Sequence, residues 1–142
     1  MVWGELYPGT RKAGMPVEKE MVAVVENDST VGEAIARLLR AAGFRAQTFI
    51  SAESFLKQDS NCKPGCLVLD IHLGGMSGFE LEQRLNNAGS GVPVIFITAD
   101  ETSETRERAK KTHCRGFLYK PVEAEKLIPI VRQAMEPPPV SK

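Results

Sequence analysis

Several features that would mark a particular class of protein are missing from this sequence. Lys and Arg together number 18, as do Asp and Glu, so the chain carries no formal net charge and lacks the basic surface of a nucleic-acid-binding protein. No apolar run is long enough to span a bilayer, and the first residues lack the apolar segment of a secretory signal. We therefore expect a cytoplasmic protein that contacts neither nucleic acid nor membranes directly.

Cysteine is also scarce, with 3 residues among 142. An odd number argues against a disulfide framework and favours a reducing compartment. Zinc sites usually draw their ligands from two close pairs, and Cys62, Cys66, His113 and Cys114 contain the residue types for such a site. Their spacing does not match well, so we expect packed thiols instead.

The length of the chain predicts one folded domain with a substantial core. Residues 1–18 contain glycine and proline without a sustained hydrophobic period, which indicates a flexible N-terminal extension. Residues 19–136 form the predicted domain, and residues 137–142 form a proline-rich tail. Because that tail does not resemble a helical linker, we expect a stand-alone domain.

Short apolar runs alternate with amphipathic segments along the predicted domain. The predicted strands cover residues 21–25, 44–49, 66–69, 94–97 and 116–119. Five such βα units predict an α/β protein with a doubly wound, five-stranded parallel sheet and helices on both faces. Residues 101–112 are almost wholly polar, which predicts a loosely held fourth helix. The pattern alone leaves the strand order open.

Polar residues follow four of these runs, where open parallel sheets bind their ligands. They are Glu26, Asn27, Asp70, Thr98 and Lys120. Carboxylate and amide oxygens suit Mg²⁺, a lysine and a hydroxyl suit phosphate oxygens, and an aspartate can attack phosphorus. Each residue taken singly also has an ordinary interpretation, as a turn acid, a β-branched strand residue or a surface lysine.

Taken together, these segments resemble a known family. The residues that carry the resemblance are Val24-Val25-Glu26-Asn27-Asp28, Leu67-Val68-Leu69-Asp70 with Gly75-Met76-Ser77-Gly78, Ile97-Thr98-Ala99 and Phe117-Leu118-Tyr119-Lys120-Pro121. They are similar to the receiver domains of two-component response regulators over roughly residues 20 to 136. The segment 49–56 and the Met-Ser-Gly turn are most similar to the receivers of nitrogen-fixation-type regulators. The resemblance implies the flavodoxin-like strand order 2-1-3-4-5.

The resemblance also implies a function and its partners. Asp70 would accept a phosphoryl group from a sensor histidine kinase or a phosphotransfer protein. The phosphorylated domain would then act on a downstream protein target or a separate output domain, as a signalling switch and not as an enzyme.

Roles for further residues follow from the same resemblance. Mg²⁺ would be held by Glu26, Asn27, Asp70 and the backbone carbonyl of His72. Lys120 and Thr98 would contact the phosphoryl group, Phe117 would change rotamer with Thr98, and the Lys120–Pro121 peptide bond would be cis. For Phe117, ordinary core packing is an equally good interpretation.

Two residues depart from the pattern of the family. Asn27 stands where an acid usually ligates Mg²⁺, and Gly74 stands where a proline is usual. The missing acid should weaken metal binding, which keeps open the alternative of a degenerate receiver that binds proteins without being phosphorylated. A phosphohydrolase that forms an aspartyl phosphate is disfavoured, because His72 replaces the second acid of the D-x-D pattern that many of those enzymes share.

Overall fold

Five short strands alternate with five helices in the computed structural model, which describes residues 21–58 and 63–136. The predicted extension and tail lie outside these residues. The strands are β1 (Met21–Val25), β2 (Arg45–Phe49), β3 (Cys66–Asp70), β4 (Val94–Thr98) and β5 (Gly116–Tyr119). The helices are α1 (Ser29–Ala41), α2 (Ala52–Leu56), α3 (Gly78–Asn87), α4 (Ser103–Lys110) and α5 (Ala124–Met135).

The strands form one parallel sheet in the order β2-β1-β3-β4-β5. From β1 the chain adds β2 on one side and then β3, β4 and β5 on the other, so the order of winding reverses between β1 and β3. Open α/β sheets leave a crevice at such a point. In register, Val25 lies between Phe49 and Leu69, and Thr98 lies beside Tyr119. The strands therefore finish nearly level, and the predicted fold and strand order are confirmed.

Alternate residues of each strand face opposite layers of helices. On one face, Ala23, Leu67 and Phe96 belong to a buried cluster completed by residues of α2, α3 and α4. On the other face, Val24 and Ile95 belong to a cluster completed by α1 and α5. The three central strands are buried on both faces, which explains why their sequences are continuously apolar.

Local side-chain chemistry sets the helix boundaries. Asp28 caps α1, since its carboxylate accepts hydrogen bonds from the N–H groups of Thr30 and Val31. Asp28 is thus engaged as a cap. After α1, Gly43 adopts a φ of +100°, as expected for a residue that ends a helix. No helix in the described part of the chain is both long enough and apolar enough to cross a membrane.

Helix α4 lacks the apolar stripe that holds most surface helices. Within it, only Ala109 is buried. The guanidinium carbon of Arg108 lies 4.4 Å from the centre of the Phe79 ring, and Arg106 Nη2 donates to the Tyr119 hydroxyl over 3.1 Å. Arginine–aromatic contacts therefore replace much of the apolar packing in the docking of this helix.

The cysteines that the structure describes are packed thiols, as expected. Cys66 is fully buried in β3, and burial raises the pKa of its thiol to about 12. Cys114 is half-buried, and its sulfur lies 3.6 Å from the carbonyl oxygen of Ala109. Cys62 lies outside the described residues. Neither of the two described thiols is placed for metal binding.

Gly78 allows the start of α3 to lie against the end of β3. A Cβ at this position would overlap the backbone oxygen of Asp70 and would lie 2.9 Å from Ile71 Cα. We expect Gly78→Ala to lower the free energy of unfolding by about 2–3 kcal/mol, measured by urea denaturation. In the matched variant Gly32→Ala, the new Cβ meets Glu26 Cβ at an ordinary 3.5 Å. That helix variant should be more stable by about 0.5–1 kcal/mol, so equal effects would contradict this account.

Candidate functional site

Four of the predicted site residues lie at the carboxyl edge of the sheet, where their strands end. Asp70 and Thr98 are the last residues of β3 and β4, and Glu26 and Lys120 directly follow β1 and β5. Glu26 is 2% exposed, Asp70 is 2% exposed and Thr98 is fully buried. Since burying a charged group is costly, this arrangement requires a compensating cation.

Lys120 is that cation. Its Nζ lies 2.7 Å from Glu26 Oε1 and 3.2 Å from Asp70 Oδ2. Its backbone N–H donates to the carbonyl oxygen of Thr98 over 2.8 Å, and the peptide bond to Pro121 is cis. The side chain is only 22% exposed, so water screens these ion pairs weakly.

Burial and neighbouring charges shift the pKa values of Asp70 and Lys120. Burial raises the pKa of Asp70, and the nearby charge of Glu26 adds to this effect, while Lys120 works against it. Burial favours the neutral amine of Lys120, but its contacts with Glu26 and Asp70 outweigh burial and raise the pKa of Lys120. Lys120 therefore stays charged and contacts the side chains of both Glu26 and Asp70.

The remaining carboxylate oxygens have backbone donors. The N–H of His72 donates to Asp70 Oδ1 over 3.2 Å, and the N–H of Asp28 donates to Glu26 Oε2 over 3.0 Å. Glu26 Oε1 is buried and makes no hydrogen bond, although Lys120 Nζ lies beside it as an ion-pair partner. A buried carboxylate oxygen without a hydrogen bond suits an added cation, so these residues fit the hard, oxygen-liganded Mg²⁺ ion.

Next to this site, a polar network joins two loops. The Thr98 hydroxyl accepts from the N–H of Asp100 over 3.0 Å. The Asp100 carboxylate accepts from the Thr105 hydroxyl over 2.7 Å, and its Oδ2 lies 3.1 Å from His72 Nε2. Hydrogen bonds from Thr105, Thr102 and His72 hold the pKa of Asp100 well below its usual range. The network links Thr98 to the start of α4, and Thr105 carried no sequence signal for this role.

Among the described residues, no hydrogen bond or ion pair joins the other predicted side chains to the Lys120 amine. Asn27 is exposed and follows Glu26 directly. The His72 side chain, 62% exposed, is turned toward Asp100. Phe117 is half-buried, packs against the cluster on the α4 side of the sheet and lies 5.3 Å from Tyr119, centre to centre. The structure thus joins Glu26, Asp70 and Lys120 directly and places the rest around them.

The comparisons with known proteins agree with this geometry. The family model of the response regulator receiver domain matches residues 22–132. The chain therefore belongs to the response regulator receiver domain family. Receiver domains are signalling modules and not enzymes in the usual sense, so both the predicted family and the predicted class of protein are confirmed.

Individual relatives show how far the similarity extends. The response regulator protein TmoT of Ectopseudomonas mendocina is 31% identical over 137 residues, which are 96% of this chain and 62% of TmoT. The transcriptional regulatory protein FixJ of Azorhizobium caulinodans is 32% identical over 114 residues, 80% of this chain and 54% of FixJ. This chain therefore spans only half to two thirds of the length of these relatives.

A solved structure supports the fold directly. The crystal structure of a response regulator receiver protein from Burkholderia phymatum is 39% identical, with a TM-score of 0.72. The match covers 81% of this chain and 94% of that chain. The flavodoxin-like architecture is therefore shared over nearly the whole of a receiver.

The closeness of Asp70 and Glu26 should lower the free energy of unfolding by a measurable amount. We expect Asp70→Asn to raise the free energy of unfolding at pH 7 by about 1 kcal/mol in Mg²⁺-free urea denaturation, since it removes one of two neighbouring buried anions. Because the pKa of Asp70 is raised by folding, the difference should grow as pH rises above the ordinary carboxyl range and vanish well below it.

Asp28→Asn is the matched control for this prediction. It removes a carboxylate close by, but asparagine is an equally good helix cap, so stability should stay within about 0.5 kcal/mol. A loss of stability in Asp70→Asn would mean that the attraction between Asp70 and Lys120 exceeds the repulsion from Glu26.

Proposed function

We propose that this receiver accepts a phosphoryl group on Asp70 from a phosphohistidine of a sensor histidine kinase or phosphotransfer protein. The observation that carries the proposal is the pair of buried carboxylates, Glu26 and Asp70, bridged by Lys120 at the carboxyl edge of the sheet. An aspartate held in this way is shielded from bulk water and lies at the end of β3, on the edge of the sheet where such folds bind ligands.

In the proposed reaction, a carboxylate oxygen of Asp70 attacks phosphorus while the bond between phosphorus and the histidine nitrogen breaks. The electron pair of that bond returns to the imidazole, and Asp70 becomes an acyl phosphate. Lys120 offsets the negative charge on the phosphoryl oxygens, and its contact with Asp70 orients the attacking group.

The residues that would hold Mg²⁺ are Glu26, Asn27, Asp70 and the backbone carbonyl of His72. When bound, the ion would neutralise charge on the phosphoryl oxygens. In the described ranges, no three His, Cys, Asp or Glu side chains form a metal-binding group, so Asn27 has to supply an amide oxygen to a set that contains two carboxylates. We therefore expect binding that is weaker than with a third acid.

Phosphorylation would be transmitted through Thr98. The new phosphoryl oxygens would attract its hydroxyl, which now accepts from the N–H of Asp100. Movement of Thr98 would free space for Phe117 to change rotamer and would shift the surface formed by α4, β5 and α5. Arg106, which bonds to Tyr119 beside Phe117, ties α4 to the same change.

The partner on the output side is a downstream protein or a separate output domain. FixJ carries the name of a transcriptional regulatory protein and is longer than the region it shares with this chain. We therefore propose that any contact with DNA is made by a separate output domain and not by the receiver surface.

The proposal is tested by intact mass after incubation with Mg²⁺ and acetyl phosphate or phosphoramidate. Wild-type protein should gain one phosphoryl group, and the gain should require Mg²⁺. Asp70→Asn should gain none, and Lys120→Ala should be phosphorylated much more slowly. No gain in the wild type, either from these donors or from a phosphorylated kinase, would favour the degenerate receiver that binds partners without phosphorylation, which the neutral Asn27 supports.

Asn27→Asp should restore the missing anion. We expect it to bind Mg²⁺ roughly tenfold more tightly in titration calorimetry, because the number of charged ligands sets the affinity for hard cations. Asn87→Asp makes the same change at the exposed end of α3 and should leave the affinity unchanged. Equal affinity in Asn27→Asp and wild type would show that residue 27 does not contact the metal.

A further inference from the structure

The loop that follows Asp70 is well anchored at both ends. At its start, Ile71 is 1% exposed and Leu73 is 5% exposed. At its end, the N–H of Gly78 donates to the carbonyl oxygen of Ile71 over 2.8 Å. Ser77 and Glu80 then form a capping box that begins α3. His72 lies in the first part of this loop, four residues before Met76.

The middle of the loop has much less to hold it. Gly74 adopts a φ of +93°, a conformation that proline cannot adopt and that other residues adopt only with strain. Gly75 follows it, and both glycines are exposed. Gly74 stands where the family usually has a proline, and the glycine that follows it makes this part of the backbone more flexible still.

Glu53, on α2, contacts this part of the loop. Its Oε2 accepts a hydrogen bond from the N–H of Met76 over 2.9 Å, across 23 residues of sequence. A Cβ on Gly75 would lie 3.0 Å from the same carboxylate, so the loop backbone passes close to Glu53. Among the hydrogen bonds of the described residues, this is the one that ties the middle of the loop to another element.

The contact has the character of a charge-assisted bond. The N–H of Met76 is the main cause that lowers the pKa of Glu53, so the carboxylate is ionised at neutral pH and accepts strongly. Helix α2 provides a firm base, because Ala52 and Phe55, on either side of Glu53, are buried against the sheet. Ser51 caps the helix through its own capping box.

We propose that Glu53 is a positioning residue that clamps the loop after the phosphoacceptor and so sets the position of the His72 carbonyl for Mg²⁺. The part of this inference that concerns Mg²⁺ rests on the proposed function. In place of a rigid proline within the loop, this chain has a contact between Met76 and Glu53 on α2. It therefore makes the geometry of the metal site depend on how α2 is docked.

Two variants of the full chain separate the hydrogen bond from the charge. Glu53→Ala removes the acceptor, whereas Glu53→Gln keeps an oxygen that can accept from Met76. The matched control is Glu33→Ala, which removes an exposed carboxylate of α1 that pairs with Arg40. All three substitutions are at exposed helix positions, so the urea midpoints should remain close to that of the wild type.

The first readout is amide hydrogen exchange of Met76, followed by NMR. Protection in Glu53→Ala should fall about two- to tenfold, as expected for the loss of one hydrogen bond, while Glu53→Gln should retain most of it and Glu33→Ala all of it. The second readout is the Mg²⁺ dissociation constant, from amide chemical shifts. It should rise about two- to tenfold in Glu53→Ala and be rescued in Glu53→Gln.

Unchanged Met76 exchange in Glu53→Ala would overturn the clamp, and unchanged Mg²⁺ affinity would overturn its positioning role. Neither result would argue against the proposal that Asp70 is phosphorylated. Conversely, a wild-type chain that is not phosphorylated but shows both effects in Glu53→Ala would overturn the proposed function and support the clamp.

Discussion

The ion-pair contacts of Lys120 with Glu26 and Asp70 are the interaction on which the rest of the site depends. Two carboxylates that are almost completely buried require a compensating charge, and Lys120 supplies it at 2.7 Å and 3.2 Å. The three residues follow or end β1, β3 and β5, which are brought together only by the strand order of the sheet. The central strands are apolar on both faces because helices cover both faces of the sheet.

Backbone geometry then determines the position of Asp70 within the site. Gly78 lets the first turn of α3 lie against the carbonyl of Asp70, where any side chain would collide. The N–H of His72 bonds to one oxygen of Asp70, and Lys120 holds the other. In the middle of the loop beyond, the N–H of Met76 donates a hydrogen bond to the Glu53 carboxylate on α2. Asp70 is thus held by groups that are close in space but come from different parts of the chain.

The side of the molecule that carries α4 is built on different contacts. Thr98 is fully buried, yet its hydroxyl is joined through Asp100 to Thr105 on α4. Helix α4 is docked largely by arginines on aromatic rings and presents almost no apolar surface to the core. Contacts of this kind are individually weak and partly solvated, so the helix can shift without opening the hydrophobic core. Thr98 therefore connects the charged edge of the sheet to the weakly held helix α4.

The sequence by itself determined the five strands and five helices, because alternation and apolar runs record burial directly. It also placed Glu26, Asp70, Thr98 and Lys120 at one edge, since parallel strands all finish on the same side. The strand order came from the family resemblance and not from periodicity. Only the tertiary structure decided that Lys120 contacts Glu26 as well as Asp70, and that Glu53 accepts a hydrogen bond from Met76. The physical reason is that such contacts join polar residues with no distinctive pattern, and they form only after packing of the apolar faces has fixed where each helix lies.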